Sequence, residues 1–359
     1  MKNISPLMKK ILAASPTKNA SVMSESVFFN KKDIVATDIP IINIAFSGDL
    51  HGGLISGLTL IAGVSKSYKS LLSLICVKAY LTKYPEAVAI LYDSEGGMSP
   101  EYLQAQGIDP SRVVHIPIEH LEMLKFDIVK QLSELNRGDK VIFVIDSIGN
   151  TGSLKEIEDA LNEKSVAELQ RAKTIKGLFR MVTPSLVAKD IPCIAICHTY
   201  STMEIYSKQI ISGGSGLIYS ANQAFIIGKS QEKDGTDLLG WNFTLNVEKS
   251  RYVREKSKLT FQVRYESGMQ KYSGLLDIAL DIGRIVKPNA GWYSRVDDDG
   301  VVEDKRWRIK DTNSSDFWDM LIKSKSFNDS IGSRYKLSAS SIADDSDTEN
   351  ESLLETDEE

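Results

Sequence analysis

Gly57-Leu-Thr-Leu-Ile-Ala-Gly-Val-Ser-Lys-Ser-Tyr-Lys-Ser70 is the stretch that decides the fold of this chain. Its second half follows the P-loop pattern, a glycine, four residues, then Gly-Lys-Ser or Gly-Lys-Thr. Gly63, Lys69 and Ser70 stand at the required spacing, while Tyr68 occupies the place of the second glycine. An apolar strand pattern precedes the loop and a helical pattern follows it. Because such a turn gathers backbone amides and a helix N-terminus, it predicts phosphate binding. An ordinary strand-to-helix turn with an exposed lysine is the alternative.

The overall composition restricts the class of protein. The chain has 359 residues, of which 42% are hydrophobic and 25% charged, which is typical of one large α/β core with smaller terminal additions. Its apolar runs are shorter than the stretch of about 20 residues that spans a bilayer, and its first residues lack a secretory pattern. Cys76, Cys193 and Cys197 lie in apolar segments, which predicts buried thiols and a cytoplasmic protein without membrane partners or a zinc site.

Charge is distributed unevenly along the chain. Residues 342–359 hold nine carboxylates and no Lys or Arg, so the net charge of −5 becomes +4 without them. Such a segment cannot build a core, and we expect it to be disordered. Two roles are open for this tail, solubility alone or competition with nucleic acid for a basic surface of the body.

The order of predicted elements indicates an α/β fold. Apolar strand patterns alternate with helical patterns, which favours a mainly parallel central sheet with an antiparallel end. The predicted strands are 58–62, 88–92, 141–146, 193–197, 223–228 and 243–248, and the predicted helices are 70–84, 100–107, 119–136 and 163–183. The predicted parts are an N-terminal appendage at 1–30, a core at 31–286, a small α+β region at 287–335 and an acidic tail at 336–359.

Polar residues follow several of the predicted strands, where an open α/β sheet places its ligands. Asp146 ends an apolar strand, as the carboxylate that holds a magnesium shell with Ser70 does in P-loop enzymes. Asp93 or Glu95, at the end of another strand, has the right chemistry to orient an attacking water. His198 ends the fourth strand, where a polar group is able to sense a γ-phosphate, although lone histidines are more often structural.

Two further segments suggest contacts with phosphate or nucleic acid. Residues 199–217 form a long polar stretch with glycines, aromatics and a lysine, suited to a loop that orders on single-stranded nucleic acid by stacking and phosphate contact. Lys249 and Arg251 leave a strand end on the same side, as a phosphate clamp requires. Solvated surface charge explains that pair equally well.

Together these stretches resemble the RecA-type recombinases, and in particular the branch found in T-even-type tailed phages. The likeness runs from about residue 27 to 330 and includes an aromatic residue at position 68, as in the phage branch. The stretches that carry it are Gly63-Val-Ser-Lys-Ser-Tyr-Lys-Ser70, Tyr92-Asp-Ser-Glu-Gly96, Phe143-Val-Ile-Asp-Ser147, Ala160-Leu-Asn-Glu-Lys164, Ile194-Ala-Ile-Cys-His198, Val247-Glu-Lys-Ser-Arg251 and Gly274-Leu-Leu-Asp277.

The resemblance implies a RecA-type ATPase core, with ATP and Mg²⁺ held between neighbouring subunits of a helical filament. Glu95 matches the water-activating glutamate, His198 the γ-phosphate sensor, and Tyr102 the aromatic that stacks on adenine, although Ser99 replaces a nearby acidic residue. Lys249 and Arg251 match the cations that reach the ATP of the adjacent subunit. The implied nucleotide-binding residues are Gly63, Val64, Ser65, Lys66, Ser67, Tyr68, Lys69, Ser70, Tyr102 and Asp146, with Ser70 and Asp146 on the metal and Lys69 also catalytic.

The resemblance also implies DNA as partner. Residues 150–163 correspond to a first DNA-binding loop, here acidic, and 199–215 to a second, while 1–30 supply an arm that packs on the next protomer. The implied DNA-binding residues are Lys173, Arg180, Tyr200, Tyr206, Lys208, Gly213 and Gly214. The expected activity is pairing and strand exchange between single-stranded DNA and a homologous duplex, assisted by a single-strand-binding protein and a loading mediator. A RecA-fold hexameric helicase and a nucleotide-regulated binding protein are the alternatives.

Overall fold

A computed structural model of the chain describes residues 4–17, 20–26, 33–162, 169–202 and 209–337. The helices are α1 Pro6–Ala14, α2 Pro40–Ser47, α3 Lys69–Lys83, α4 Pro100–Ala105, α5 Leu121–Glu134, α6 Leu154–Leu161, α7 Leu169–Lys189, α8 Ser215–Ser220, α9 Leu275–Asp281, α10 Ser315–Lys323 and α11 Lys325–Tyr335. The strands are β1 Gly57–Gly63, β2 Val88–Asp93, β3 Val113–Pro117, β4 Val141–Asp146, β5 Pro192–Ser201, β6 Gln209–Ile211, β7 Gln223–Asp234, β8 Asp237–Ser250, β9 Lys258–Arg264, β10 Gly268–Met269, β11 Ile285–Asn289, β12 Trp292–Arg295 and β13 Trp307–Arg308.

A ten-stranded sheet organises the molecule. Its strand order is β10-β9-β8-β7-β1-β5-β4-β2-β3, with β6 paired to β5. The six strands from β7 to β3 run parallel, and β8, β9 and β10 add antiparallel neighbours at one end. The prediction of a mainly parallel sheet with an antiparallel end is therefore confirmed.

Helices cover both faces of the parallel strands, which explains why those strands are apolar throughout rather than alternating. On β4, Ile142 and Val144 belong to the core on the side of α3, whereas Phe143 and Ile145 belong to the core under α5 and α7. The first core continues without interruption into the C-terminal region, where the buried Trp318 stacks on Tyr272. The three-stranded sheet of β11, β12 and β13 lies in that region.

Several predicted boundaries differ from the observed ones. The helix predicted at 163–183 is observed as α7, which continues through Pro184 to Lys189. The stretch at 199–217, expected to be one polar loop, instead contains the end of β5, β6 and the start of α8. The hydrogen-bond partners of β6 on β5 explain the difference, because they continue a strand beyond its apolar part.

The three cysteines are free and buried, as predicted, and burial raises the pKa of each thiol to about 12. Within the described ranges, no helix is long and apolar enough to cross a membrane.

Candidate nucleotide site and basic surface

A cavity of about 400 Å³ lies at the carboxyl edge of the parallel strands. Such a volume lies within the range of small-molecule sites. Strands β1, β5, β4 and β2 are neighbours in the sheet, so the segments that follow them meet at this edge. The cavity is lined by Ser65, Lys66, Ser67, Tyr68, Lys69, Ser70, Leu71, Glu95, Tyr102, Asp146 and His198.

The turn between β1 and α3 has the conformation of a phosphate cradle. Gly63 is required there, because a Cβ would stand 2.6 Å from the Ser67 hydroxyl oxygen. Tyr68 adopts a left-handed backbone with φ of 59°, which costs about 1–2 kcal/mol for a residue other than glycine. Its ring packs edge-to-face on Phe243 at 4.8 Å between centroids, an interaction of about 0.5–1.5 kcal/mol. Packing thus offsets the backbone strain of an aromatic residue at this position.

Lys69 begins α3 and points back into the loop. Its side chain is buried, and its ammonium donates a hydrogen bond to the Val64 carbonyl at 2.8 Å. Burial lowers the pKa of Lys69, although Asp146 and Glu95 oppose the shift. Gly63 and Val64 do not line the cavity themselves. The Val64 carbonyl accepts hydrogen bonds from both Ser67 and Lys69, and so holds the lysine side chain in the cavity wall.

Ser70 and Asp146 form the pair of oxygen ligands expected for a hard cation. The Ser70 hydroxyl donates to Asp146 Oδ2 at 2.6 Å. Burial raises the pKa of Asp146, and the bond from Ser70 only partly offsets that shift. A buried carboxylate beside a hydroxyl fits Mg²⁺, which takes one or two carboxylates together with substrate phosphates. No group of three or more His, Cys, Asp or Glu residues suited to a metal occurs among the residues that the structure describes.

Glu95 is at the centre of a polar network across the cavity from Lys69. Its Oε1 atom accepts hydrogen bonds from the Ser147 hydroxyl at 2.6 Å and the Asn150 amide at 2.8 Å, and lies 3.2 Å from Nε2 of His198. Burial alone would raise the pKa of Glu95, but the bonds from Ser147 and His198 lower it below its ordinary value. The group is therefore held as a carboxylate.

The neighbouring Asp93 has a different environment. Its Oδ1 atom accepts the backbone N–H groups of Glu95 and Gly96 at 2.9 and 2.8 Å, and its Oδ2 atom lies 3.2 Å from His115. These bonds shape the turn that presents Glu95. Asp93 is also absent from the cavity lining, so the geometry favours Glu95 as the carboxylate that faces a ligand.

Tyr102 contributes an aromatic side chain to the lining of the cavity. It lies on α4, where the Ser99 hydroxyl caps the helix by accepting the Tyr102 N–H at 3.2 Å. Burial raises the pKa of its hydroxyl. Ser99 therefore has a structural task at the position where the RecA family carries an acidic residue.

Lys249 and Arg251 lie at the other edge of the sheet. Lys249 is opposite Ala224, the second residue of β7, which is itself opposite Leu60 on β1. Because β8 is antiparallel to β7, it ends at the amino end of β7, away from the P-loop. Lys249 donates to the carbonyls of residues 218 and 219 in α8 at 3.0 and 2.8 Å, and burial lowers its pKa. Arg251 is exposed and has no ion-pair partner within the described residues. Neither residue lines the cavity of its own protomer.

A basic stripe runs along α7. Lys173, Lys176 and Arg180 are exposed and share one face of the helix by their spacing. Gly213 and Gly214 both have positive φ, and the Gly214 Cα lies against α7, where an added Cβ would contact Ala172 at 4.0 Å. Tyr200 is exposed near the end of β5. Tyr206 and Lys208 lie outside the described residues.

Sequence reasoning passed over three residues around Glu95. Ser147 and Asn150 bond its carboxylate, and Arg171 donates to the carbonyls of the turn between them. Ser147 had a signal, since it directly follows the predicted metal ligand. Asn150 lies in a segment that the sequence matched to a DNA-binding loop, and Arg171 is one of several cations on α7. The spacing of residues in the sequence therefore singled out neither of them.

Known proteins resemble this chain along most of its length. Residues 272–331 match the family described as Bacteriophage T4, Recombination and repair protein, C-terminal domain. The chain is 51% identical to a protein named "Recombination and repair protein" from Enterobacteria phage T4, over 94% of this chain and 87% of that protein. It is 27% identical to "Protein RecA" of Chlorobaculum tepidum, over 68% and 69% of the two chains. "Protein RecA" of Clostridioides difficile is 25% identical over 73% of each.

Proposed function

This chain belongs to the UvsX family of phage recombination and repair proteins, a branch of the RecA recombinases, and we propose that it forms helical filaments on single-stranded DNA and catalyses homologous pairing and strand exchange with coupled ATP hydrolysis. Recombinase function and nucleotide use are properties of this family. The observation that carries the finer proposal is the division of the site. Glu95, Lys69 and Asp146 surround one cavity, whereas Lys249 and Arg251 lie at the opposite edge of the same sheet.

The proposed roles follow from charge and position. Lys69 neutralises the β- and γ-phosphates of ATP, and Ser70 with Asp146 holds Mg²⁺, which would neutralise charge on the transferred phosphoryl group when bound. Glu95 orients the attacking water and accepts its proton on a carboxylate oxygen, for which its lowered pKa keeps it ionised. Tyr102 stacks on the adenine. His198, 3.2 Å from Glu95, responds to the γ-phosphate.

Lys249 and Arg251 complete the site of a neighbouring copy. Because both lie at the edge away from their own P-loop, the phosphate that they contact belongs to another protomer. Hydrolysis then depends on assembly, and assembly depends on DNA. The exposed apolar residues Leu7, Met8 and Ile11 on α1, none of which packs on the described body, support an arm over 1–30 that docks on the next copy.

The proposed DNA contacts are mainly with the backbone. The stripe of Lys173, Lys176 and Arg180 provides positive charge along one helix, and Tyr200, exposed near the end of β5, offers a stacking surface. Contacts of this kind position a strand without reading its sequence, so base pairing selects the homologous partner. The partners are single-stranded DNA, a homologous duplex and further copies of this chain, with a single-strand-binding protein and a mediator in the host cytoplasm.

The acidic tail is proposed to compete with DNA for a basic surface of the body. Its base is fixed at Leu337, whose N–H donates to the Tyr252 carbonyl at 2.9 Å, next to Arg251. Removing residues 342–359 is expected to raise the affinity for single-stranded DNA and change its dependence on salt. An unchanged affinity and salt slope would leave solubility as the tail's role.

The decisive experiment measures ATP hydrolysis with and without single-stranded DNA, beside the Lys69→Ala variant. We expect strong stimulation by the single strand in the natural chain and none in the variant. A strand-exchange assay with homologous duplex follows, because a RecA-fold helicase fails it. Hydrolysis that is independent of DNA, or absent, would favour a nucleotide-regulated binding protein instead.

A further inference from the structure

Arg171 joins the start of α7 to the turn that follows β4. Its Nη2 atom donates to the carbonyls of Ile148 and Gly149 at 2.9 and 2.6 Å, and its Nε atom donates to the Thr151 carbonyl at 3.1 Å. One planar guanidinium thus bonds three carbonyls within four consecutive residues. A rigid fork of this kind fixes orientation as well as position.

The turn held by Arg171 carries the partners of Glu95. Ser147, just before the bonded carbonyls, and Asn150, among them, both donate to the Glu95 carboxylate. Gly149 lies against the imidazole of His198, where a Cβ would stand 2.3 Å from Cδ2. A shift of the turn would therefore move the two hydrogen-bond donors of Glu95 and press on His198 at once.

The other end of this link is on the basic face of α7. Arg171 lies in the first turn of the helix, two residues before Lys173, the first cation of the stripe. A helix moves as a unit over such a short distance. A ligand that pulls on Lys173, Lys176 or Arg180 would therefore displace the guanidinium of Arg171 and, through it, the turn.

We propose that Arg171 is a positioning residue that transmits occupancy of the basic α7 face by DNA to the placement of Glu95. The inference rests on the proposed function, since it assumes hydrolysis at Glu95 and DNA on α7. Without the guanidinium, nucleotide and DNA still bind, but DNA no longer improves the geometry of the water-activating carboxylate.

Arg112 provides a matched control from the same chain. Its guanidinium donates to the carbonyls of Leu81, Tyr84 and Ala87 at 2.7–3.2 Å, so it also bonds three carbonyls, at the end of α3 and in the connection that follows it. That connection joins α3 to β2 at the edge of the sheet away from the cavity. Lysine at either position keeps the charge but places its donors on one nitrogen, so it lacks the planar fork that reaches these three carbonyls. Arg112→Lys therefore reproduces the structural loss without touching the turn at Glu95.

The test compares Arg171→Lys with Arg112→Lys in the full chain. We expect both variants to lose thermal stability to a similar extent. Arg171→Lys should reduce the DNA-stimulated kcat by about tenfold or more, since small misplacements of catalytic groups have effects of this size. Its KM for ATP should change less than about threefold. Its affinity for single-stranded DNA, measured in the presence of a non-hydrolysable ATP analogue, should also change less than about threefold. Arg112→Lys should keep the natural kcat.

Other outcomes separate the proposals. If DNA does not stimulate hydrolysis by the natural chain, the proposed function is wrong, and the role of Arg171 that depends on it is wrong as well. If stimulation is normal and the two variants have equal kcat values, the positioning role is wrong. A loss of DNA affinity in Arg171→Lys would instead make Arg171 a DNA contact.

A second variant keeps the test open if Arg171→Lys does not fold. Gly149→Ala leaves Arg171 in place and displaces the turn through the clash with His198. We expect the same loss of DNA-stimulated kcat with retained DNA binding. An unaltered kcat in that variant would contradict the inference.

Discussion

The two edges of the parallel sheet differ in what they complete. At the carboxyl edge, the P-loop, Glu95 and Asp146 enclose a cavity, and their side chains are bonded to one another. At the other edge, Lys249 and Arg251 lie next to each other with no carboxylate of the described chain paired to them. The carboxyl edge therefore holds most groups of a site, whereas the two cations of the other edge form no ion pair with the described residues. Our proposal that a second copy of the chain joins the two edges rests on this difference.

We expect mutations at the two edges to differ in whether their effects depend on contact between protomers. A change at the carboxyl edge acts within one protomer and appears at any protein concentration. A change at the opposite edge acts only where two protomers meet, so nucleotide binding by the isolated chain is unaffected.

The largest effect is expected for Glu95→Gln. The amide keeps an oxygen that accepts from Ser147 and Asn150 but cannot take a proton, so kcat should fall by about 10²–10⁴. Binding of a fluorescent ATP analogue should be retained within about threefold. Glu86→Gln, an exposed glutamate at the other edge, is the control and should keep full activity. If Glu95→Gln were as active as Glu86→Gln, Glu95 would have no catalytic role and the carboxyl edge would not be the catalytic one.

Arg251→Ala is expected to have a large effect that depends on assembly. The arginine contacts no described residue by an ion pair, so the folded protomer and its ATP affinity should be unaltered, while DNA-dependent hydrolysis should fall by about 10²-fold or more. Lys256→Ala is the control, because Lys256 is an exposed cation nearby that pairs with Glu248. Equal effects of the two variants would mean that general surface charge, and not a specific contact, matters at this edge.

A smaller effect concerns stability of the nucleotide-free protein. Burial raises the pKa of Asp146, so its ionised form destabilises the fold at neutral pH, and this cost disappears as pH falls towards the unfolded value of 3.8. The pKa of Glu95 is lowered instead, so its contribution is favourable above the unfolded value of 4.5 and is lost as pH falls further.

Asp146→Asn should therefore raise Tm at pH 7 by about 1–3 °C, and Glu95→Gln should lower it by a similar amount. Both differences should diminish when thermal unfolding is followed at pH 4 by circular dichroism. Shifts of the same sign at pH 7 would contradict the opposite environments assigned to these two carboxylates.

Much of the carboxyl edge was predictable because parallel strands bring their ends together. The P-loop, Asp146, Glu95 and His198 each follow an apolar strand, so adjacency in the sheet was enough to group them. The choice of Glu95 over Asp93 was not available from spacing alone. It depends on hydrogen bonds that engage Asp93 in the turn.

Other features could not be read from local patterns. The left-handed backbone at Tyr68 is compensated by Phe243, a residue distant in the chain. Arg171 is one cation among several on α7, and only the folded position of residues 148–151 gives it three acceptors. The short strands β3 and β6 depend on neighbouring strands more than on their own periodicity. Long-range contacts account for these differences.

Mixing two inactive variants tests the shared site most directly. Glu95→Gln keeps the cations of the far edge, and a Lys249→Ala, Arg251→Ala double variant keeps Glu95. In a 1:1 mixture on single-stranded DNA, random assembly makes about one junction in four complete, as for any filament with head-to-tail contacts. We predict ATP hydrolysis at about a quarter of the natural rate. Hydrolysis no greater than the mean of the two separate variants would contradict a site completed by a second copy.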